Sequence, residues 1–153
     1  MSLNQVFDIA GSGMSAQSIR LNTTSSNLAN AESASSSTGE VYRARKPFFS
    51  AVQQEMTGGS NRGVTEAGFS RDDLQSAGVS VDGIVESDTE VEKRYQPDHP
   101  KADEQGFVYY PNVNVVEEMA DMMSASRSFQ TNVQVMNTAK SMMQRIMTLG
   151  QGG

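Results

Sequence analysis

The feature that most constrains this chain lies between Pro111 and Gly150. Apolar side chains return there at alternating steps of four and three. Positions 115, 119, 122, 126, 129, 133, 136, 140, 143 and 147 are Val115, Met119, Met122, Ser126, Phe129, Val133, Met136, Lys140, Met143 and Met147. Eight of the ten are apolar, and Met123, Val135, Met142 and Ile146 widen the stripe. That spacing predicts an amphipathic helix with a coiled-coil-like seam. Asn114 stands three residues before Glu117, as in a capping box with Asn in the capping position. Glu117, Glu118 and Asp121 crowd the start, and Lys140 and Arg145 lie near the end, both as the helix dipole favours. Gly150 supplies a stop. A helix over 115–149 is roughly 52 Å long at 1.5 Å per residue, about three times the usual length.

Such a helix needs cover, and the chain offers little. Over residues 3–30 a second stripe runs through Leu3, Phe7, Ala10, Met14, Gln17, Leu21, Thr24 and Leu28, widened by Val6, Ile9 and Ile19. Gly11 and Gly13 weaken it by about 1 kcal/mol each relative to Ala, but they allow another helix to approach closely. The alternative is a helix that starts near Ser12. Residues 31–78 read as irregular: AESASSSTGE is loop-like, Pro47 breaks YRARKPFFSAV, MTGGSNRGVTEAGFS is rich in Gly and Ser, and the helical pattern of Phe48–Met56 is weak. Residues 79–110 read as β. Val79, Val81, Gly83 and Val85 alternate, Val91, Lys93 and Tyr95 form a second run, and ESDTE between them is the expected hairpin connection. QPDHP is a turn or extended loop, and GFVYYP a short apolar strand or extended lead-in.

The expected organisation is an N-terminal helix (1–30), an irregular region (31–78), a small β module (79–112) and a C-terminal helix (113–153). The fold class is mainly α with a small β module, its terminal helices forming a coiled-coil-like pair. The N-terminal helix covers one side of the methionine-rich stripe, and other subunits are expected to cover the rest. A compact hairpin that buries the stripe within one chain is the alternative.

Chemistry is sparse. No dinucleotide, phosphate-loop, CxxC or HExxH motif is present, so no catalytic residue, cofactor or metal is expected. His99 lies near Asp98, Asp103 and Glu104, but the flanking prolines favour a turn over a metal site. The net charge of −6 argues against nucleic acid as a partner. The acidity is local, with eight Asp or Glu against three Lys or Arg over residues 79–112. The basic trio Arg43, Arg45 and Lys46 is a solvated loop, or a salt-bridging patch for a neighbour's acidic module. The chain has no cysteine for a disulfide framework. It has no apolar run of the roughly 18–20 residues that a membrane span needs, and its N-terminus lacks the basic, then apolar, pattern of a cleaved signal.

The two ends together resemble the flagellar rod, hook and hook-filament proteins. The N-terminal likeness is carried by Ala16, Gln17, Leu21, Asn22, Asn27, Leu28, Ala29 and Asn30. The C-terminal likeness is carried by Asn112, Val113, Glu117, Glu118, Met119, Ala125, Ser126, Arg127, Ser128, Phe129, Gln130 and Asn132. YRARKPFF, GVSVDGIVESD, YQPDHPKADEQGFVYYPNVN and a short insert are most similar to the proximal-rod members. Phe129 and Thr131 depart mildly from the pattern, and AESASSSTGE departs more. The resemblance implies a subunit that polymerises through its terminal helices into a tubular, torque-transmitting rod in the periplasm. It implies export by the flagellar type III apparatus without signal cleavage. Implied partners are the chain itself, other rod proteins and the inner-membrane ring or export-gate junction. The alternatives are another axial rod subunit and a free-standing helical adaptor. The residues expected at an assembly interface are Leu3, Phe7, Met14, Leu21, Asn22, Asn27, Asn30, Met119, Met122, Phe129, Asn132, Val133, Met136 and Met143. Packing within one subunit is the alternative for the seam positions; Asn22, Asn27 and Asn30 either bridge backbone groups of a neighbouring chain or cap the helix, with plain solvent-facing helix termination as the alternative.

Overall fold

The computed structural model describes residues 3–53 and 76–150. Its elements are α1 (Leu3–Asn30), β1 (Arg45–Gln53), β2 (Ser76–Glu86), β3 (Glu92–Tyr95), β4 (Phe107–Tyr110) and α2 (Val115–Gly150). The fold is mainly helical: two long terminal helices, with two small antiparallel hairpins between them.

α1 continues through Gly11 and Gly13 because α2 supports it. The helices are antiparallel, with Gly13 against Asn132, Arg20 against Asp121 and Asn27 against Glu118. A Cβ added at Gly13 would stand 2.8 Å from Asn132 Nδ2, so the glycine leaves room for the Asn132 amide between the helices. Asn114 caps α2, its Oδ1 accepting the Val116 and Glu117 N–H groups at 3.1 and 3.4 Å. The expected reciprocal arm of a capping box is not formed, because the Glu117 carboxylate turns to Lys46 Nζ at 3.0 Å.

The seam of α2 differs from the one periodicity predicts. Its inward side chains are Glu118, Met122, Ala125, Phe129, Asn132, Met136, Ala139 and Met143, again at alternating four and three. Met122, Phe129, Met136 and Met143 belong to both readings, and Val115, Ser126 and Val133 of the expected seam are half-buried beside them. Met119, Lys140 and Met147 are exposed instead of inward. Close approach is the reason. Ala10 and Ala16 on α1 and Ala125 and Ala139 on α2 are buried. A seam of small residues lets the backbones approach where larger side chains would hold them apart.

Strand pairing corrects a second expectation. Residues 45–53 form β1, not irregular chain or weak helix, and β1 pairs with β2 in the register Arg45↔Glu86 to Gln53↔Ser76. β3 pairs with β4, Glu92 opposite Tyr110 and Tyr95 opposite Phe107. ESDTE therefore links two hairpins and is not the turn of one. A bulge at Phe48/Phe49 leaves Asp82 without an opposite residue, and its carboxylate accepts the Ser50 hydroxyl at 2.7 Å. Gly78 has φ +136°, and a Cβ there would overlap Ser12 Oγ of α1, so only glycine lets β2 pass so near the helix.

The second hairpin closes on itself. Tyr95 and Phe107 meet edge to face at 5.3 Å, and Lys93 Nζ lies 3.8 Å above the Phe107 ring. His99 sits in its connecting turn, where Nδ1 accepts the Lys101 N–H. Asp103 Oδ1 accepts the Gln105 and Phe107 N–H groups, which holds its carboxyl below the usual range. Ser35, from the serine-rich loop, exchanges two backbone hydrogen bonds with Tyr109 and ties this hairpin to the end of α1. Among the described residues no helix is long and apolar enough to cross a membrane, and no group of three or more His, Cys, Asp and Glu is arranged to hold a metal.

Candidate assembly interface

Where α1, β1 and α2 meet, one side chain joins all three. Asn27 is 0% exposed. Its Oδ1 accepts the Arg45 N–H at 2.9 Å and the Tyr42 hydroxyl at 2.8 Å. Its Nδ2 donates to the Arg45 carbonyl at 2.8 Å and to Glu118 Oε1 at 3.0 Å. All of its bonding capacity is used, and the pair of bonds to Arg45 imitates a strand neighbour at the start of β1. The expectation that Asn27 reaches a neighbouring chain is corrected: it fastens the subunit's own β ribbon to its own helices. Asn112 does similar work nearby. Its Oδ1 accepts the Ala44 N–H at 2.8 Å, and its Nδ2 donates to the Ser87 and Thr89 carbonyls.

Glu118 carries the cost of this clasp. It is 3% exposed, and its Oε2 is buried with no hydrogen-bond partner. Burial pushes its carboxyl above the usual range, against the Asn27 hydrogen bond and the positive charge of Lys46, which favour ionisation.

The other expected residues divide by exposure. Phe7, Met14 and Leu21 are half-buried on α1, as are Met122, Phe129, Asn132, Val133, Met136 and Met143 on α2. Asn22 and Met119 are exposed. Asn30 turns back onto its own helix, donating to the Ser26 carbonyl at 2.8 Å. The Leu3 side chain lies outside the described residues, as does the MTGGSNRGVTEAGFS segment. The basic trio is engaged within the chain: Arg43 with the Ser87 carbonyl, Arg45 with Glu86 and Lys46 with Glu117. Sequence reasoning missed Tyr42, Asn112 and Glu118 as members of the clasp. Asn112 and Glu118 lie within the C-terminal likeness, so a signal existed for them, whereas Tyr42 stands out only once β1 is placed.

What remains is apolar surface without cover. Val116, Met119 and Met123 stand out from the first turns of α2, and Val135, Met142, Ile146 and Met147 from its second half, with Val116 77% and Ile146 65% exposed. A groove of about 420 Å³ runs between α1 and α2, lined by Val6, Thr131, Gln134, Val135, Thr138, Ala139 and Met142. Because Val6 faces this stretch, the last two turns of α2 extend past the start of α1. The β1–β2 ribbon also exposes Phe48, Ile84 and Val85. Faces of this kind mark interaction surfaces, and the arrangement suits helix-in-groove packing rather than small-molecule chemistry.

Comparison with known proteins agrees with this geometry. Residues 7–32 match the family described as flagella basal body rod protein, and residues 104–149 match the flagellar basal body rod FlgEFG protein C-terminal family. The first match covers most of α1, and the second covers β4 and nearly all of α2. The chain is 44% identical over 151 residues to the flagellar basal-body rod protein FlgC of Salmonella typhimurium, covering 99% of this chain and 100% of the relative. It is 45% identical over 151 residues to that of Escherichia coli O157:H7, with the same coverage. It is 33% identical over 159 residues to that of Borreliella burgdorferi, again with 99% and 100% covered. The likeness thus spans both helices and everything between them, and the chain belongs to the FlgC family of flagellar basal-body rod proteins.

Proposed function

We propose that the chain is a structural subunit of the flagellar basal-body rod, with no catalytic role, and that it polymerises through its helices. The observation that carries this reading is the uncovered apolar surface of α2: Met142 beside the groove with Val6, and Ile146 and Met147 in the last two turns. A neighbour's helix seated on that surface and in the groove beside Val6 removes it from water, and burying a large apolar side chain is worth roughly 1.5–3 kcal/mol. The partners are further copies of the chain and other rod proteins, joined at the base by the inner-membrane ring or export-gate junction. The subunit works in the periplasm, in the proximal part of the rod, where it transmits torque. It reaches that place through the flagellar type III apparatus without signal cleavage. Stiffness against twist suits the fold: the Asn27 clasp and the α1–α2 seam make the helix pair and the β1 ribbon one unit.

The test is deletion of the gene followed by electron microscopy of basal bodies. The inner-membrane ring should persist without a rod, and the unaltered gene should restore it. Intact rods in the deletion strain would refute the proposal.

A further inference from the structure

The charge of α2 is as unevenly distributed as its apolar surface. From Met122 to Gly150 the helix carries no acidic residue, while Arg127, Lys140 and Arg145 are all exposed. None of the three has an ion-pair partner among the described residues. The first turns of α2 are acidic, but Lys46 and Arg20 hold Glu117 and Asp121 there. Exposed carboxylates that pair with no cation of the described residues include Asp8, Glu32, Glu40, Asp82, Asp98 and Glu104 and, two residues apart in the loop between β2 and β3, Asp88 and Glu90.

That loop is held in one shape. Asn112 Nδ2 donates to the Ser87 carbonyl at 3.4 Å and to the Thr89 carbonyl at 2.7 Å. The Ser87 N–H donates to the Ala44 carbonyl at 2.8 Å, and the Ser87 and Thr89 hydroxyls meet at 3.0 Å. Two carboxylates are thus presented from a pinned backbone beside the start of α2. Arg145 lies about 45 Å along the helix axis from that start, taking 1.5 Å per residue. This is several times the screening length of roughly 8 Å at physiological salt. The loop and the distal cations of a single copy therefore do not reach each other.

We propose that the distal end of α2 in one copy docks on the β2–β3 loop of a second copy, with Lys140 and Arg145 meeting Asp88 and Glu90. The inference rests on the rod-subunit reading and adds the polarity and partner of the contact. Distal end against distal end sets positive charge on positive, and loop against loop sets negative on negative. Of the contacts between these two surfaces only the head-to-tail one is complementary, and such heterologous contacts generate open polymers. The exposed Met142, Ile146 and Met147 flank the two cations and supply the apolar part of the contact.

The test uses the full chain in place of the chromosomal copy. Because the chain has no cysteine, Glu90→Cys and Arg145→Cys can be introduced together and basal bodies treated with copper phenanthroline. Disulfide-linked dimers and a ladder of this chain are expected from the double variant, well above either single variant. A double variant no better than the singles, or linkage only to a different protein, overturns the inference. Charge exchange gives an independent reading. Asp88→Lys/Glu90→Lys and Lys140→Glu/Arg145→Glu should each cut swimming several-fold, and their combination should recover at least half of it. A combination no better than the worse parent overturns the inference. Gene deletion separates the two proposals: if deletion removes the rod but charge exchange does not rescue, only the contact is wrong.

Discussion

Replacing Asn27 with alanine is the sharpest test of how this subunit is held together. The side chain is fully buried and makes four hydrogen bonds. Its loss strands the Arg45 N–H and carbonyl and removes the Nδ2 donor to Glu118 Oε1, while Tyr42 keeps a bond to Ser26 at 3.2 Å. Each buried group left unpaired costs about 1–3 kcal/mol. Water entering the vacated space recovers part of that, so about 3–5 kcal/mol is expected, a large share of the 5–15 kcal/mol typical of a whole domain. Urea unfolding followed by circular dichroism measures it, with the midpoint moving at an unchanged slope. Asn27→Asp should be worse than alanine at pH 7. It keeps the acceptor but sets a carboxylate against the Arg45 carbonyl and Glu118. Its new carboxyl has a raised folded pKa, so the deficit should shrink as pH falls and the group becomes a donor. A cost below about 1 kcal/mol for alanine, or an aspartate variant as stable as the wild type at pH 7, would refute the clasp as described.

Four further outcomes follow from the same geometry. Gly78→Ala should cost at least about 2 kcal/mol, since φ is +136° and the new Cβ overlaps Ser12 Oγ. Gly11→Ala, with nothing within 4 Å of its Cβ, should raise the thermal midpoint by the equivalent of up to about 1 kcal/mol. Glu118 has its carboxyl raised above the ordinary 4.5 by burial. The native state therefore holds that proton more tightly, and the stabilisation is full below the unfolded pKa and lost as pH rises through the folded one. Glu118→Gln should flatten the stability–pH profile in that window, and an unchanged slope would count against a buried, raised carboxyl. Finally, Met136→Asp should destabilise the isolated chain, whereas Ile146→Asp should leave its unfolding midpoint within about 0.5 kcal/mol and block rod assembly in cells.

The relation between sequence and structure is clearest in α2. Its length, its Asn114 cap and its heptad spacing are local properties, written in neighbouring residues, and they were legible without any tertiary information. The same holds for α1, for the turn around His99 and for the short strand at Phe107–Tyr110. The terminal motifs carried the family for the same reason, since each is a short contiguous run.

Everything that depended on partners far along the chain had to wait for the fold. Apolar periodicity marked Met119 and Lys140 as seam positions, yet Glu118 and Ala139 face inward. Hydrophobicity ranks methionine above alanine, whereas the distance between two helices rewards the smaller side chain. The runs Val79–Val85 and Val91–Tyr95 alternate as strands should, but alternation does not say which strand pairs with which. Residues 45–53 claimed the first and residues 107–110 the second. Asn27 shows the limit most plainly. Its identity is a single amide in a polar helix end, and only the convergence of α1, β1 and α2 turns it into a buried four-bonded clasp. Local periodicity and capping are encoded within a turn or two of chain, so the sequence alone determined the two helices. Seam rotation, strand partners and the buried amide are settled by contacts such as those of Asn27, 15 to 91 residues apart, and that only the tertiary structure decided.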